Sequence, residues 1–339
     1  MLAMIAAGCT KDNANRASNG NKDPEENQEP GTDPGTDPGT DPGTDPTPPE
    51  PEGPAVKTGA ENLVLHISFD KDELIEVGEG ITFKENKGQA AISGGFIGKG
   101  WTNKSVNNAT EAYSKFDVAQ ESVFKGLEEI TFSVWLKNVN EFFKGGIISL
   151  NGGRMGNPPY QKPHDFPAFI VYFDNRYTDA ETQNLMQQVN GRFIFHDQNR
   201  NEQNLWLDTS APELAIYGEW FHFAFTYKLN DQKEFPAEEE GKDPVVKTVG
   251  TVMLYVNGQQ IAERTFEQNI PFNNLVTEFA NALYVGAWST YVEGDSVQSW
   301  QNYWAGSIDE VRMYNRPFTD EEVLALYKEE LNLNLEQED

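Results

Sequence analysis

Trp304-Ala-Gly-Ser-Ile-Asp-Glu-Val-Arg-Met-Tyr-Asn-Arg-Pro-Phe-Thr-Asp-Glu-Glu-Val-Leu-Ala-Leu-Tyr327 joins a last strand to a last helix. Apolar residues fall at Ile308, Val311 and Met313, so the period of two of a half-buried strand slips once, which predicts a bulge around Asp309 and Glu310. After Arg316-Pro317 the pattern turns helical. Thr319 is a natural N-cap with Glu322 three residues on, and Phe318 is placed to staple onto Val323. Val323, Leu324, Leu326, Tyr327 and Leu331 then make one apolar helix face.

Working outward, the same alternation recurs. Leu63, Leu65, Ile67 and Phe69 share one face of a first strand, and Ile130, Phe132, Val134 and Leu136 one face of another, with Trp135 turned the opposite way under a crossing loop or toward a ligand. Trp220 to Tyr227 is apolar on both faces, as a central strand requires. Thr251 to Val256 and Gln259 to Phe266 flank Asn257-Gly258, a type I′ hairpin signal. Leu229 to Lys247, charged and proline-containing, reads as an extended hairpin loop, and Asn151 to Pro167 as a long loop.

Ile308-Asp-Glu-Val-Arg-Met-Tyr-Asn-Arg316 with its capped helix resembles the closing strand of laminin G-like domains in the concanavalin A-like lectin and glucanase superfamily. Phe132-Ser-Val-Trp-Leu136, Glu219-Trp-Phe-His-Phe-Ala-Phe-Thr-Tyr227 and Val252-Met-Leu-Tyr-Val-Asn-Gly258 resemble three further strands of that family, in its order. The resemblance implies an all-β fold: a two-sheet antiparallel jelly-roll sandwich of concanavalin A-like type with a short C-terminal helix. It also implies a structural calcium away from the ligand face, for which Asp309, Asp70 and the carbonyl of Gly98 are the candidate oxygen ligands; the alternative is that Asp309 caps the bulge by hydrogen bonding.

The organisation expected is a lipoprotein signal segment at 1–9, a disordered linker at 10–60 and one jelly-roll domain at 61–339. Met1-Leu-Ala-Met-Ile-Ala-Ala-Gly-Cys9 resembles a bacterial lipobox, although Ala6 stands where Leu is usual and no basic residue precedes the apolar run. Lipidation is expected at Cys9, the chain's one cysteine, which also excludes an intrachain disulfide. Gly-Thr-Asp-Pro repeats from Gly31 to Pro46 make an acidic, extended tether. The arrangement resembles surface lipoproteins of the Bacteroides group. It places the protein at the cell surface of a bacterial outer membrane, touching the membrane only through the lipid anchor.

A formal charge of −28 and a pI near 4.4 exclude nucleic acid as a partner, along with heparin-like polyanions. The family's catalytic Glu-x-Asp-x-x-Glu run is absent, as are a Gly-x-Ser-x-Gly elbow and a His-Glu-x-x-His pair. The leading expectation is therefore a non-enzymatic lectin that binds a neutral glycan or polysaccharide beside outer-membrane transport or hydrolase proteins. Sugar rings stack on flat aromatic side chains while polar groups fix their hydroxyls. The densest aromatic cluster supplies the candidates Trp288, Tyr291, Trp300, Tyr303 and Trp304, with Gln298, Gln301 and Asn302 as polar partners, and Tyr160, His164 and Trp206 approaching from insertions. The alternatives are a protein-binding or adhesion module of the same fold and, third, a glycoside hydrolase with an unrecognised carboxylate pair.

Overall fold

A computed structural model of the chain describes residues 56–139, 144–151, 167–174, 191–196, 202–207, 218–237, 242–266, 271–272, 280–292 and 302–337. The lipobox and tether lie outside these residues. So do Trp300, Tyr160, His164, Gln298 and Gln301.

Fifteen strands follow one another among the described residues: β1 (Leu63–Ile67), β2 (Ile81–Gly88), β3 (Ala90–Gly94), β4 (Lys99–Asn103), β5 (Ala112–Val118), β6 (Ile130–Asn138), β7 (Lys144–Asn151), β8 (Pro167–Asp174), β9 (Gly191–His196), β10 (Glu202–Leu207), β11 (Trp220–Phe235), β12 (Val245–Val256), β13 (Gln259–Phe266), β14 (Ala282–Val285) and β15 (Gly306–Tyr314). A one-turn helix α1 (Ser289–Val292) sits between the last two strands, and α2 (Asp320–Gln337) follows them. One sheet runs β13-β12-β11-β6-β15-β4-β3, with β1 also on β15, and the other runs β10-β9-β8-β7-β14-β5-β2. The named strand pairs are antiparallel. This is the expected two-sheet antiparallel jelly-roll sandwich, closed by a C-terminal helix.

The core lies between the sheets. Phe132, Val134 and Leu136 of β6 and Phe221, Phe223 and Phe225 of β11 meet Phe169, Val171 and Phe173 of β8 and Leu283 and Val285 of β14. Each fully buried Phe or Leu contributes roughly 1.5–3 kcal/mol, so the alternation along these strands holds the sheets face to face. Gly286 admits the Trp101 ring: its φ is 86°, and a Cβ there would overlap the indole.

The outer face of the eight-stranded sheet is covered by α2. Val323 and Leu326 pack with Ala224, Tyr255, Tyr314 and Phe318. Trp135 lies under this helix, stacked on Phe96 at 3.4 Å between centroids and facing Tyr327 at 5.7 Å. The capping box is formed: Thr319 N–H donates to Glu322 Oε2 at 2.9 Å and Glu322 N–H to Thr319 Oγ1 at 3.3 Å.

The expected bulge is present, with Glu310 at φ 51° and the β6–β15 register shifting between Asp309 and Arg312. There β15 changes partner, from β4 at Ser307 and Ile308 to β1 at Val311 and beyond. The expected loop over Leu229 to Lys247 is corrected. After a bulge at Asn230, Asp231–Phe235 pairs with Val249–Val245, so β11 and β12 run on as a two-stranded ribbon.

Candidate functional site

The outer face of the seven-stranded sheet bears a row of aromatic side chains. Ile170 on β8, Ser149 on β7, Tyr284 on β14 and Lys115 on β5 are lateral neighbours in register. Alternation turns Phe169, Val171, Leu283 and Phe116 into the core, so Tyr172, Tyr284 and Tyr113 point outward. The segments after β14 and before β15 add Trp288, Tyr291 and Tyr303.

Tyr113 lies 5.6 Å from Tyr284 and 6.3 Å from Tyr303, centroid to centroid, and Tyr303 meets Tyr291 edge-on at 5.1 Å. Tyr172 lies 4.4 Å from Trp288, and Tyr291 packs against both groups. Ser149 fixes the start of α1, since its hydroxyl donates to Ser289 Oγ at 2.9 Å and accepts from Ser289 N–H at 3.1 Å.

Three features give this face chemistry. Trp288 is 3 % exposed, and among the described residues its indole N–H has no acceptor; a buried donor in that state costs about 1–3 kcal/mol. Tyr291 keeps its ring half-buried. Burial, followed by the nearby Glu111, Tyr291 and Tyr113, raises the pKa of Tyr303, so its hydroxyl stays protonated. A ring platform carrying O–H and N–H groups suits a polyhydroxylated ligand.

The structure thus brings Trp288, Tyr291 and Tyr303 together, and adds Tyr113, Tyr172 and Tyr284. None of these three was a candidate in the sequence; the only signal for them is their place as outward positions beside apolar neighbours on their strands. Trp304 is corrected. Successive residues of an extended chain point to opposite faces, so with Tyr303 outward the Trp304 ring enters the sandwich core, 5.6 Å from Phe173, its Nε1–H donating to Ser307 O at 3.2 Å. Trp206 belongs to β10, and its side chain lies outside the described residues.

Asp309, Asp70 and Gly98 do converge on the turn before β4. Asp309 Oδ2 accepts N–H groups from Phe96 and Ile97 at 2.8 and 2.9 Å, and its Oδ1 accepts from Glu310 N–H at 2.9 Å. Gly98 O accepts from Gly95 N–H at 3.0 Å, and Asp70 Oδ1 from Lys99 N–H at 2.7 Å. These donors occupy lone pairs that calcium would need, and among the described residues no group of three His, Cys, Asp or Glu side chains is arranged to hold a metal. The corner does not fit the oxygen cage of a calcium ion. Asp309 acts instead as an acceptor that pins the turn. Burial first and Glu310 second hold its pKa well above the usual carboxylate range.

Beside it, Arg312 is clamped between Glu310 Oε2 and Glu330 Oε1, the latter 2.7 Å from Arg312 Nε. Glu310 also meets His66 Nε2 at 2.9 Å, and Glu330 Oε2 accepts from Trp135 Nε1 at 2.7 Å. His222 Nε2 lies 3.6 Å from Glu330, with neither group exposed. Burial raises Glu330 to about 7 and lowers His222 to about 3. The buried acids of the closing strand and helix are thus engaged with amides, a guanidinium and an indole, on the sheet opposite the aromatic row.

No curated protein matches the sequence. Solved structures with similar coordinates include domain 4 of AbnA, a GH43 extracellular arabinanase from Geobacillus stearothermophilus, in complex with arabinotriose, at 19% identity over 79% of this chain and 100% of that one, with a TM-score of 0.41. The botulinum neurotoxin serotype G binding domain gives 13% identity, 79% and 51% coverage and a TM-score of 0.47. The binding domain of Paraclostridial Mosquitocidal Protein 1 gives 16%, 79%, 52% and 0.43. The chain spans about half the length of those toxin binding-domain chains. Residues 244–324, from the start of β12 to the first turn of α2, match a laminin G family model described as the Concanavalin A-like lectin/glucanases superfamily.

Proposed function

We propose that the chain is a non-catalytic glycan-binding module whose ligand lies on the outer face of the seven-stranded sheet. The carrying observation is the half-buried Tyr291, whose ring packs beside Trp288 and Tyr172 and meets Tyr303 edge-on, on a sheet face that α2 does not cover. A sugar ring would stack on the partly exposed Tyr291, which the buried Trp288 and Tyr172 support by packing. We also place the module at a bacterial cell surface, held by a lipid on Cys9 and the acidic tether, a reading supported by the sequence of residues 1–60.

A glycan-array screen of the full chain tests this, beside Tyr291→Ala and Tyr291→Leu, both of which remove the half-exposed ring. Binding that both variants weaken about tenfold or more, with unchanged melting temperatures, is the expected outcome. Silence across plant, microbial and host glycans would overturn the reading and turn attention to a protein partner. Hydrolysis of any bound oligosaccharide would overturn its non-catalytic part.

A further inference from the structure

Lys115 stands at the end of the aromatic row and, among the described residues, is matched with no acid. Its ammonium lies over the Tyr284 ring, 5.6 Å from the centroid. Carboxylates are close at hand on neighbouring positions, yet each is taken: Asp117 pairs with Lys84 at 3.0 Å, and Glu85, the lateral neighbour of Lys115 on β2, pairs with Lys87 at 3.1 Å. Among the described residues none lies within ion-pair distance of Lys115. In a chain with 54 acidic side chains against 26 Lys and Arg, an unclaimed ammonium on the face that carries the rings is not the expected statistical result.

Placement gives the ammonium a use. Lys115, Tyr284, Ser149 and Ile170 form one lateral line across β5, β14, β7 and β8. Three strand spacings of ~4.8 Å put the Lys115 backbone about 14 Å from that of Ile170, which packs with Trp288. A short oligosaccharide stacked at Tyr291, beside Trp288, would therefore reach Lys115 with another of its units. On this glycan-binding reading, which it deepens, we infer that Lys115 determines specificity and that the preferred ligand carries a single carboxylate, as a uronic acid or another acid-bearing sugar, beside a neutral unit.

Charge limits the ligand from the other side. A net charge of −28 repels a polyanion along its whole length, whereas screening with a Debye length of about 8 Å at physiological salt lets one carboxylate respond to the one ammonium it touches. This amends the expectation of a wholly neutral glycan without admitting heparin-like chains.

The test pairs each acid with its neutral parent: xylotriose bearing one glucuronic acid against xylotriose, and sialyllactose against lactose, titrated into the full chain and into Lys115→Met and Lys115→Arg. Methionine keeps the cover over Tyr284 and removes the charge. In at least one pair the acid-bearing member should bind about twofold to fivefold tighter, the range of an exposed ion pair. Lys115→Met should erase that preference and leave neutral binding unchanged, while Lys115→Arg should keep it. Equal binding of acid and neutral members in the wild type, or a preference that survives Lys115→Met, would overturn the inference and leave glycan binding standing. A preference found for one pair alone would support the inference and say which acid the site accepts. No binding of any member, together with silence on the array, would sink both.

Discussion

Asp309 shows how one carboxylate can organise a corner. Three backbone N–H groups from two segments end on its two oxygens, so replacing it with alanine strands buried donors that together cost about 3 kcal/mol or more. Asp309→Ala should lower the unfolding free energy by that order in urea titrations. Because amides fill the positions a cation would need, calcium or a chelator should leave the wild-type melting temperature unchanged. A calcium-dependent rise would show that the corner rearranges to admit the ion. Arg312 is the complementary case: Arg312→Met would leave Glu310 and Glu330 buried without their cation, a loss of about 3–5 kcal/mol. The second substitution tests whether the guanidinium neutralises this region.

At the scale of elements, α2 is held by its cap, its apolar face and one fully buried acid. Thr319→Ala should cost about 1 kcal/mol, since it removes the acceptor for Glu322 N–H. Glu330 and His222 make the contact between α2 and the sheet respond to protons in opposite senses. Glu330 is raised from 4.5 to about 7, so its contribution is complete below pH 4.5 and is lost as pH rises through 7; His222 is lowered from 6.5 to about 3, so its contribution is present above pH 6.5 and is lost as pH falls toward 3. Relative to wild type, Glu330→Gln should gain stability as pH rises from 4.5 to 7, and His222→Phe should gain as pH falls from 6.5 toward 3. Urea midpoints measured across that range decide it; parallel curves would mean that neither group titrates as its burial requires. The bulge, the capping box and the Asn257-Gly258 turn were legible because each is written in neighbouring residues. The Arg312 network was not, since His66, Trp135, His222, Glu310 and Glu330 are far apart in sequence and meet only when β1, β6, β11, β15 and α2 assemble. The ribbon of β11 and β12 escaped for a different reason: past β6 it has no core to face, so its sequence carries no apolar alternation to read.

Across the whole molecule the two sheets share one core and divide the remaining work. The outer face of the eight-stranded sheet is closed by α2, while that of the seven-stranded sheet carries the aromatic row and Lys115. Loss of the helix and loss of the tail should therefore differ sharply. A chain ending at Arg316 would uncover Trp135, Ala224, Tyr255 and Tyr314 and leave Arg312 without Glu330; an exposed apolar patch of that kind drives association. It should accumulate as aggregate or bind a hydrophobic dye. A chain beginning at Glu52 retains every contact described here, including the Glu329 carboxylate that accepts from Lys57 N–H at 2.8 Å and Thr58 N–H at 3.0 Å. It should melt where the full chain melts and bind the same glycans. A start moved to Asn62 removes those two donors and should lower the melting temperature by several degrees, because a loss of 1 kcal/mol shifts the midpoint of a domain this size by about 2–4 °C. If the shorter chain melts unchanged, the link between Glu329 and the start of the domain contributes nothing, and α2 is held by its cap, its apolar face and the buried Glu330.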